Sequence, residues 1–279
     1  MASSRQMQPP PDFLYGTAWK EDRTAPLVSL ALHAGFRAID TANQRRHYNE
    51  VAVGEALSAA YAEGLVTRAD LFLQTKYTYQ AGQDHRLPYN PSAPFAAQVA
   101  ESLANSLEHL GTHYVDSLLL HGPASGYGWT EADSEVWTAM CRERDAGRAR
   151  RLGVSNVSLE HLRQMAAAGH ETPFFVQNRC FARLGWDRPV RAWCREQGTI
   201  YQGFSLLTAN APVFRHPLPG AIAKANDGTL AQVIFAFALA VGLLPLTGTS
   251  DREHMREDLD SRRIQLKPEE IAALEAIAG

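Results

Sequence analysis

The chain is predicted to fold as a single (β/α)8, or TIM, barrel. Short apolar β-type runs alternate with helical patterns along its whole length, eight of each, which suits a closed parallel sheet better than an open one. Its 279 residues match a fold that commonly takes about 250. Three polar residues of different chemistry close successive runs: Asp40 after GFRAI, Lys76 after LFLQT and His121 after YVDSLLL. In a parallel barrel the C-terminal strand ends converge on one face, and that face carries the chemistry.

In chain order, strands are expected over 13–16, 36–40, 71–76, 115–121, 149–154, 174–177, 200–204 and 243–246. Helices are expected between and after them, over 26–34, 50–63, 94–110, 134–146, 159–168, 189–197, 229–240 and 252–260. Gly35 follows the first helix just before a strand, where a left-handed C-cap is expected, and Gly111 and Gly198 hold equivalent places. Ser158 can cap the helix that begins at Leu159, and Ser250 or Asp251 the one over 252–260. A last amphipathic segment, 268–278, places Ile271, Leu274 and Ile277 at helical spacing. Two connections, 77–94 and 205–228, are long, and long loops at strand ends usually serve binding. No linker or charge block divides the chain, so residues 1–279 are expected to form one domain.

Composition narrows the function. A net charge of −3 argues against a nucleic-acid partner, which needs a basic stripe. The longest apolar run, 233–246, is broken by Gly242 and reads as a buried helix followed by a strand, so no membrane association is expected. The opening MASSRQMQPPP lacks the apolar core of a signal peptide. Three scattered cysteines, Cys141, Cys180 and Cys194, form no disulfide framework, which points to a reducing cytoplasm. His109 and His113 are separated by Gly111, which ends the helix, and no calcium loop or paired cysteines occur, so no metal is expected.

The stretch GFRAIDTANQRRHYNEVAVGEAL resembles the aldo-keto reductase signature, and LFLQTK, YVDSLLLHGP, RRLGVSNVS, FFVQNRCF and LPLTGTSDREHMREDL continue the resemblance in family order. What the resemblance implies is a barrel that binds NADPH, with NADH possible, and reduces aldehydes or ketones. Asp40, Tyr48, Lys76 and His121 match the family's catalytic tetrad. The residue types suit the task. Hydride addition builds negative charge on the carbonyl oxygen, which must be protonated or held by donors. A tyrosine is a reluctant acid; a nearby Lys76 would favour its phenolate and lower its pKa, and Asp40 would keep that lysine charged and placed. His121 can donate a hydrogen bond to the carbonyl. The tyrosine departs from the pattern. The family places it five residues after the aspartate, where this chain has Arg45. Tyr48 reaches the site if residues 44–47 form a small loop expansion, and alignment backward from Asn49-Glu50 puts His47 there instead.

The resemblance further implies that Ser155, Asn156 and Gln177 hold the nicotinamide carboxamide and that its ring stacks on Phe204, where relatives usually have tyrosine. Gly248, Thr249 and Ser250 precede a helix and can take a phosphate. Relatives grip the 2′-phosphate with a lysine and an arginine, and the matching positions here are Leu246 or Thr247 and His254. Arg252 and Arg256 lie nearby, and Glu257 and Asp258 match the adenine-contacting pair. Because the chain ends at Gly279 directly after its last helix, an open substrate pocket is expected, walled by the long loops. Tyr77, Tyr127 and Trp129 are its expected substrate contacts, with Tyr79, Tyr89 and Phe214 adding aromatic surface for an apolar carbonyl compound. The expected partner is that small molecule, and the protein itself is expected to be a monomer or weak homo-oligomer. The displaced tyrosine keeps one alternative open: a nucleotide-binding protein of the same fold that senses redox state or binds a partner with little turnover.

Overall fold

The computed structural model describes residues 9–277, so the start of MASSRQMQPPP and residue 278 of the last expected helix lie outside the described residues. Eight strands pair in parallel and in chain order: β1 (Leu14–Gly16), β2 (Ala38–Asp40), β3 (Phe72–Tyr77), β4 (Ser117–Leu120), β5 (Leu152–Ser155), β6 (Phe175–Arg179), β7 (Ile200–Phe204) and β8 (Leu243–Thr247). β8 pairs with β1, so the barrel closes and leaves no sheet edge. One α-helix follows each of the first six strands: α1 (Thr24–Ala34), α2 (Glu50–Ala62), α3 (Phe95–His109), α4 (Glu131–Asp145), α5 (Leu159–Ala167) and α6 (Arg188–Gln197). Two follow β7, α7 (Pro217–Ala225) and α8 (Leu230–Ala240), and two follow β8, α9 (Arg252–Asp260) and α10 (Pro268–Ala276). Among the described residues no helix is long and apolar enough to cross a membrane.

The expected caps are in place. Gly35 and Gly198 end α1 and α6 at positive φ, 113° and 69°. Ser158 accepts from His161 N, and Asp251 accepts from Glu253 N and His254 N. Two helices differ from expectation. α4 starts before Ser134, because Thr130 and Asp133 form a reciprocal capping box upstream of it. α7 lies inside a connection expected to be open loop. Its PLPG start resembles a turn, yet Pro217 occupies the first helical position, where a missing N–H costs nothing, and Ile222 and Ala223 are buried.

The period of two along each strand sorts side chains between two cores. Leu14, Ala38, Phe72, Leu119, Phe175 and Leu244 point into the barrel and form one cluster. Their neighbours Tyr15, Ile39, Leu73, Leu118, Leu120 and Val176 point outward and pack with the larger core that includes the helices. Two residues further along the inward face of β2 and β3 come Asp40 and Gln74, then Lys76. On β4 the inward step reaches His121, one residue past the strand. On β6 it reaches Gln177 and Arg179, and on β7 Gln202 and Phe204. Strand parity alone therefore delivers a carboxylate, an ammonium, an imidazole and an aromatic ring to one mouth.

Candidate active site

Lys76 is the centre of the strand-borne set. Its Nζ donates to both Asp40 oxygens at 2.7 Å and to Thr41 O at 2.8 Å. All three ammonium protons are thus used within the protein. Below this pair lies a ring of buried amides. Gln74 Nε2 and Gln177 Nε2 both donate to Asp40 Oδ1, at 2.7 and 3.0 Å, and both also donate to Gln202 Oε1, at 2.8 and 2.9 Å. Gln202 returns a bond to Gln74 Oε1 at 3.0 Å. The ring satisfies polar groups that a barrel interior could not otherwise bury. His121 Nδ1 lies 2.7 Å from Thr78 Oγ1.

The loop after β2 gives the two candidates for the tyrosine position different surroundings. Gln44 O accepts from both His47 N and Tyr48 N, at 3.1 and 3.0 Å, so the chain folds back over residues 44–48 and absorbs the extra length. Tyr48 turns inward. Its ring lies 5.8 Å from that of His121, and Lys76 Nζ lies 5.3 Å from its centroid. His47 turns to the rim, where its ring stacks on Trp19 at 3.8 Å and its carbonyl accepts from Trp19 N.

Burial sets the proton affinities here. It pushes the Tyr48 hydroxyl above its ordinary pKa, and the Asp40 carboxylate adds to the rise. The expected lowering by Lys76 is not seen, because desolvation is the largest effect on this hydroxyl. Burial likewise lowers Lys76, against the pull of Asp40. It also lowers His121, with help from Lys76 and His47, to about 3, so the imidazole is neutral at physiological pH.

A cavity of about 530 Å³ opens over these groups, within the usual range for small-ligand sites. Asp40, Tyr48 and His121 line it, with Lys76 buried behind Asp40. Ser155, Asn156, Gln177 and Phe204 form the opposite wall, and Gly248 and Thr249 its far end. Asn156 sits at φ 56°, a left-handed conformation that asparagine tolerates, and its Nδ2 donates to His121 O at 2.7 Å. It thereby ties the ends of β4 and β5 together.

Other expected residues are not brought into the cavity. Ser250 and His254 are exposed and Glu257 is partly exposed, all beyond its rim. Asp258 is buried, accepts from Thr247 Oγ1 at 2.7 Å and fastens α9 to β8, so it does not present itself to an adenine. The N–H groups that start α9 are taken by the Asp251 carboxylate, which leaves fewer of them for a phosphate. The expected substrate aromatics also lie elsewhere. Tyr77 follows Lys76, so parity sends it outward, where its hydroxyl donates to Gln98. Tyr79 donates to Asp133 and Tyr89 to Thr78 O. Tyr127 is 97% exposed, and Trp129 packs near His170 with Nε1 donating to Ser134.

The walls instead include Trp19, His47, Arg179, Leu207 and Thr208, which the sequence reading missed apart from His47. Lys20, also missed, donates to Gly248 O at 2.7 Å, and burial, then Arg23, brings its pKa down to about 8. Signals for three of them were present. Trp19 and Lys20 lie in the loop after the C-terminal end of β1, and Arg179 stands two residues past Gln177 on one strand face.

Known proteins share both sequence and fold. The aldo/keto reductase family model matches residues 14–208. An aldo-keto reductase of Mycolicibacterium vanbaalenii is 32% identical over 255 residues, covering 90% of this chain and 81% of the relative. A methylglyoxal reductase of Escherichia coli is 30% identical over 270 residues, covering 96% and 92%. The structure of a Bombyx mori aldo-keto reductase in complex with NADP superposes with a TM-score of 0.81 at 25% identity, covering 95% of this chain and 88% of that one. A Brucella melitensis aldo/keto reductase gives the same score and identity, covering 95% and 94%. With the tetrad positions gathered at the mouth of a closed parallel barrel, the chain belongs to the aldo/keto reductase family of oxidoreductases.

Proposed function

We propose that this protein reduces aldehydes or ketones to alcohols with NADPH, and that Tyr48 is the proton donor. The observation that carries the reading is the position of Tyr48, beside His121 and in front of the Lys76–Asp40 pair, while His47 is held on Trp19. The residues present fit a nicotinamide dinucleotide. Phe204 offers a flat apolar face, Ser155, Asn156 and Gln177 offer polar groups beside it, and the NADP complex of the silkworm relative supports the same cofactor. When bound, NADPH supplies the hydride. Arg252 and Arg256, exposed on α9, are the candidates for a 2′-phosphate.

The protein's own groups handle the oxygen. A raised pKa keeps the Tyr48 phenol protonated until negative charge develops on the carbonyl oxygen, which then takes its proton. If Thr78 Oγ1 donates to His121 Nδ1, the ring proton sits on Nε2 and serves as the second donor to that oxygen. Lys76, held by Asp40, faces the phenolate that remains. Three free cysteines fit a reducing compartment such as the cytoplasm.

Tyr48→Phe is expected to lower carbonyl turnover by about 10²–10⁴-fold while NADPH binding changes little, because only the transferred proton is lost. His47→Ala is expected to keep most of the turnover. The assignment fails if His47→Ala abolishes reduction and Tyr48→Phe does not.

A further inference from the structure

Arg179 is the cavity cation that the catalytic arrangement does not use. Phe175 and Gln177 point into the barrel, so parity turns Arg179 into its mouth, where it lines the cavity in register with Phe204 of β7. Its guanidinium carbon lies 5.5 Å from the Phe204 ring centroid and 6.0 Å from that of Phe181. Among the described residues, no carboxylate lies within ion-pair distance of it. By contrast, Arg68 and Arg150 both meet Asp116, and Arg188 and Arg191 both meet Glu275. Among the described residues, the only carboxylate on the cavity wall, Asp40, is bound to Lys76, and His121 is neutral. Arg183, whose guanidinium carbon is 5.0 Å from the Phe181 centroid, adds positive potential on the same side. Aromatic faces steady a guanidinium without consuming its N–H fork, which is shaped for a carboxylate or phosphate.

We infer that Arg179 is an oxyanion-recognition element of this cavity, taking either a carboxylate on the carbonyl substrate or a phosphate of the dinucleotide. The substrate alternative rests on the carbonyl-reducing function proposed above. The cofactor alternative needs only nucleotide binding.

The test compares the wild-type protein with Arg179→Met, which keeps the length and aromatic packing but loses charge and donors. Kinetics with benzaldehyde and 4-carboxybenzaldehyde give the ratio of kcat/KM values. NADPH affinity is read from quenching of intrinsic tryptophan fluorescence, and benzoate is titrated against benzamide in the same way. A substrate carboxylate predicts that wild-type preference for the carboxylated aldehyde, and for benzoate over benzamide, falls about tenfold in the variant while NADPH affinity holds. A dinucleotide phosphate predicts that NADPH affinity falls about tenfold while the aldehyde ratio holds. If all three quantities are unchanged in a folded variant, the inference is overturned. Absence of wild-type turnover with both aldehydes would count against carbonyl reduction, and the two binding titrations would still decide the role of Arg179.

Discussion

On the β2–β4 side of the mouth, the charges at the strand ends are answered inside the protein. Lys76 gives its protons to Asp40 and Thr41 O, Asp40 also accepts from two glutamines, and His121 is neutral. On the β6 and β8–β1 side, Arg179 meets only aromatic faces, and Lys20 gives its hydrogen bond to a backbone carbonyl and lies over Tyr15. The first side is electrically closed, and desolvation there moves pKa values without leaving a net charge. The second is electrically open and positive, as suits a site whose missing charge arrives with an anionic ligand. Under the proposed function, the comparison separates the groups proposed to perform chemistry from those proposed to hold the ligand.

The largest expected effect lies on the closed side. Lys76→Met leaves Asp40 buried without its cation, and breaking a buried pair costs about 3–5 kcal/mol. Urea denaturation should show that loss, and turnover should vanish. A variant as stable as the wild type would mean that the pair is not closed. On the open side, Lys20→Met should weaken NADPH binding by about tenfold at pH 7, the scale of one charge-assisted hydrogen bond, with the fold intact. Because the Lys20 pKa is about 8, wild-type affinity should fall as pH rises through 8, while affinity of the variant stays flatter. Parallel pH curves for the two proteins would remove Lys20 from the open side. The smallest effect belongs to neither side. Tyr127→Ala, at a fully exposed loop position, should leave kcat/KM within about twofold and stability within about 0.5 kcal/mol. A larger change in kcat/KM would return Tyr127 to the substrate site.

Strand-borne and loop-borne residues differ in how far they can be read from the chain alone. Asp40, Lys76, His121, Gln177 and Phe204 were legible because each ends or follows an apolar run in a parallel barrel, where a period of two sets direction. The same rule, applied one residue further, turns Tyr77 outward and Arg179 inward. Tyr127 and Trp129 were different. An aromatic in a long loop carries no signal of whether it folds over the cavity or away from it, and here the packing of Trp129 near His170 and its bond to Ser134 decided. The helix α7 was hidden for a related reason, since Pro and Gly mark both turns and helix starts.

The order of apolar runs and turns was enough to determine the barrel, its closure and the strand ends that meet at its mouth, because alternation and strand period are local properties of the chain. Tertiary structure alone decided that Tyr48 faces His121 while His47 stacks on Trp19 at the rim, that Asp258 is spent on Thr247, and that Arg179 meets no carboxylate. Each of these outcomes depends on which distant residue takes the hydrogen bond, the ring face or the charge, and such competition is settled only when the elements pack.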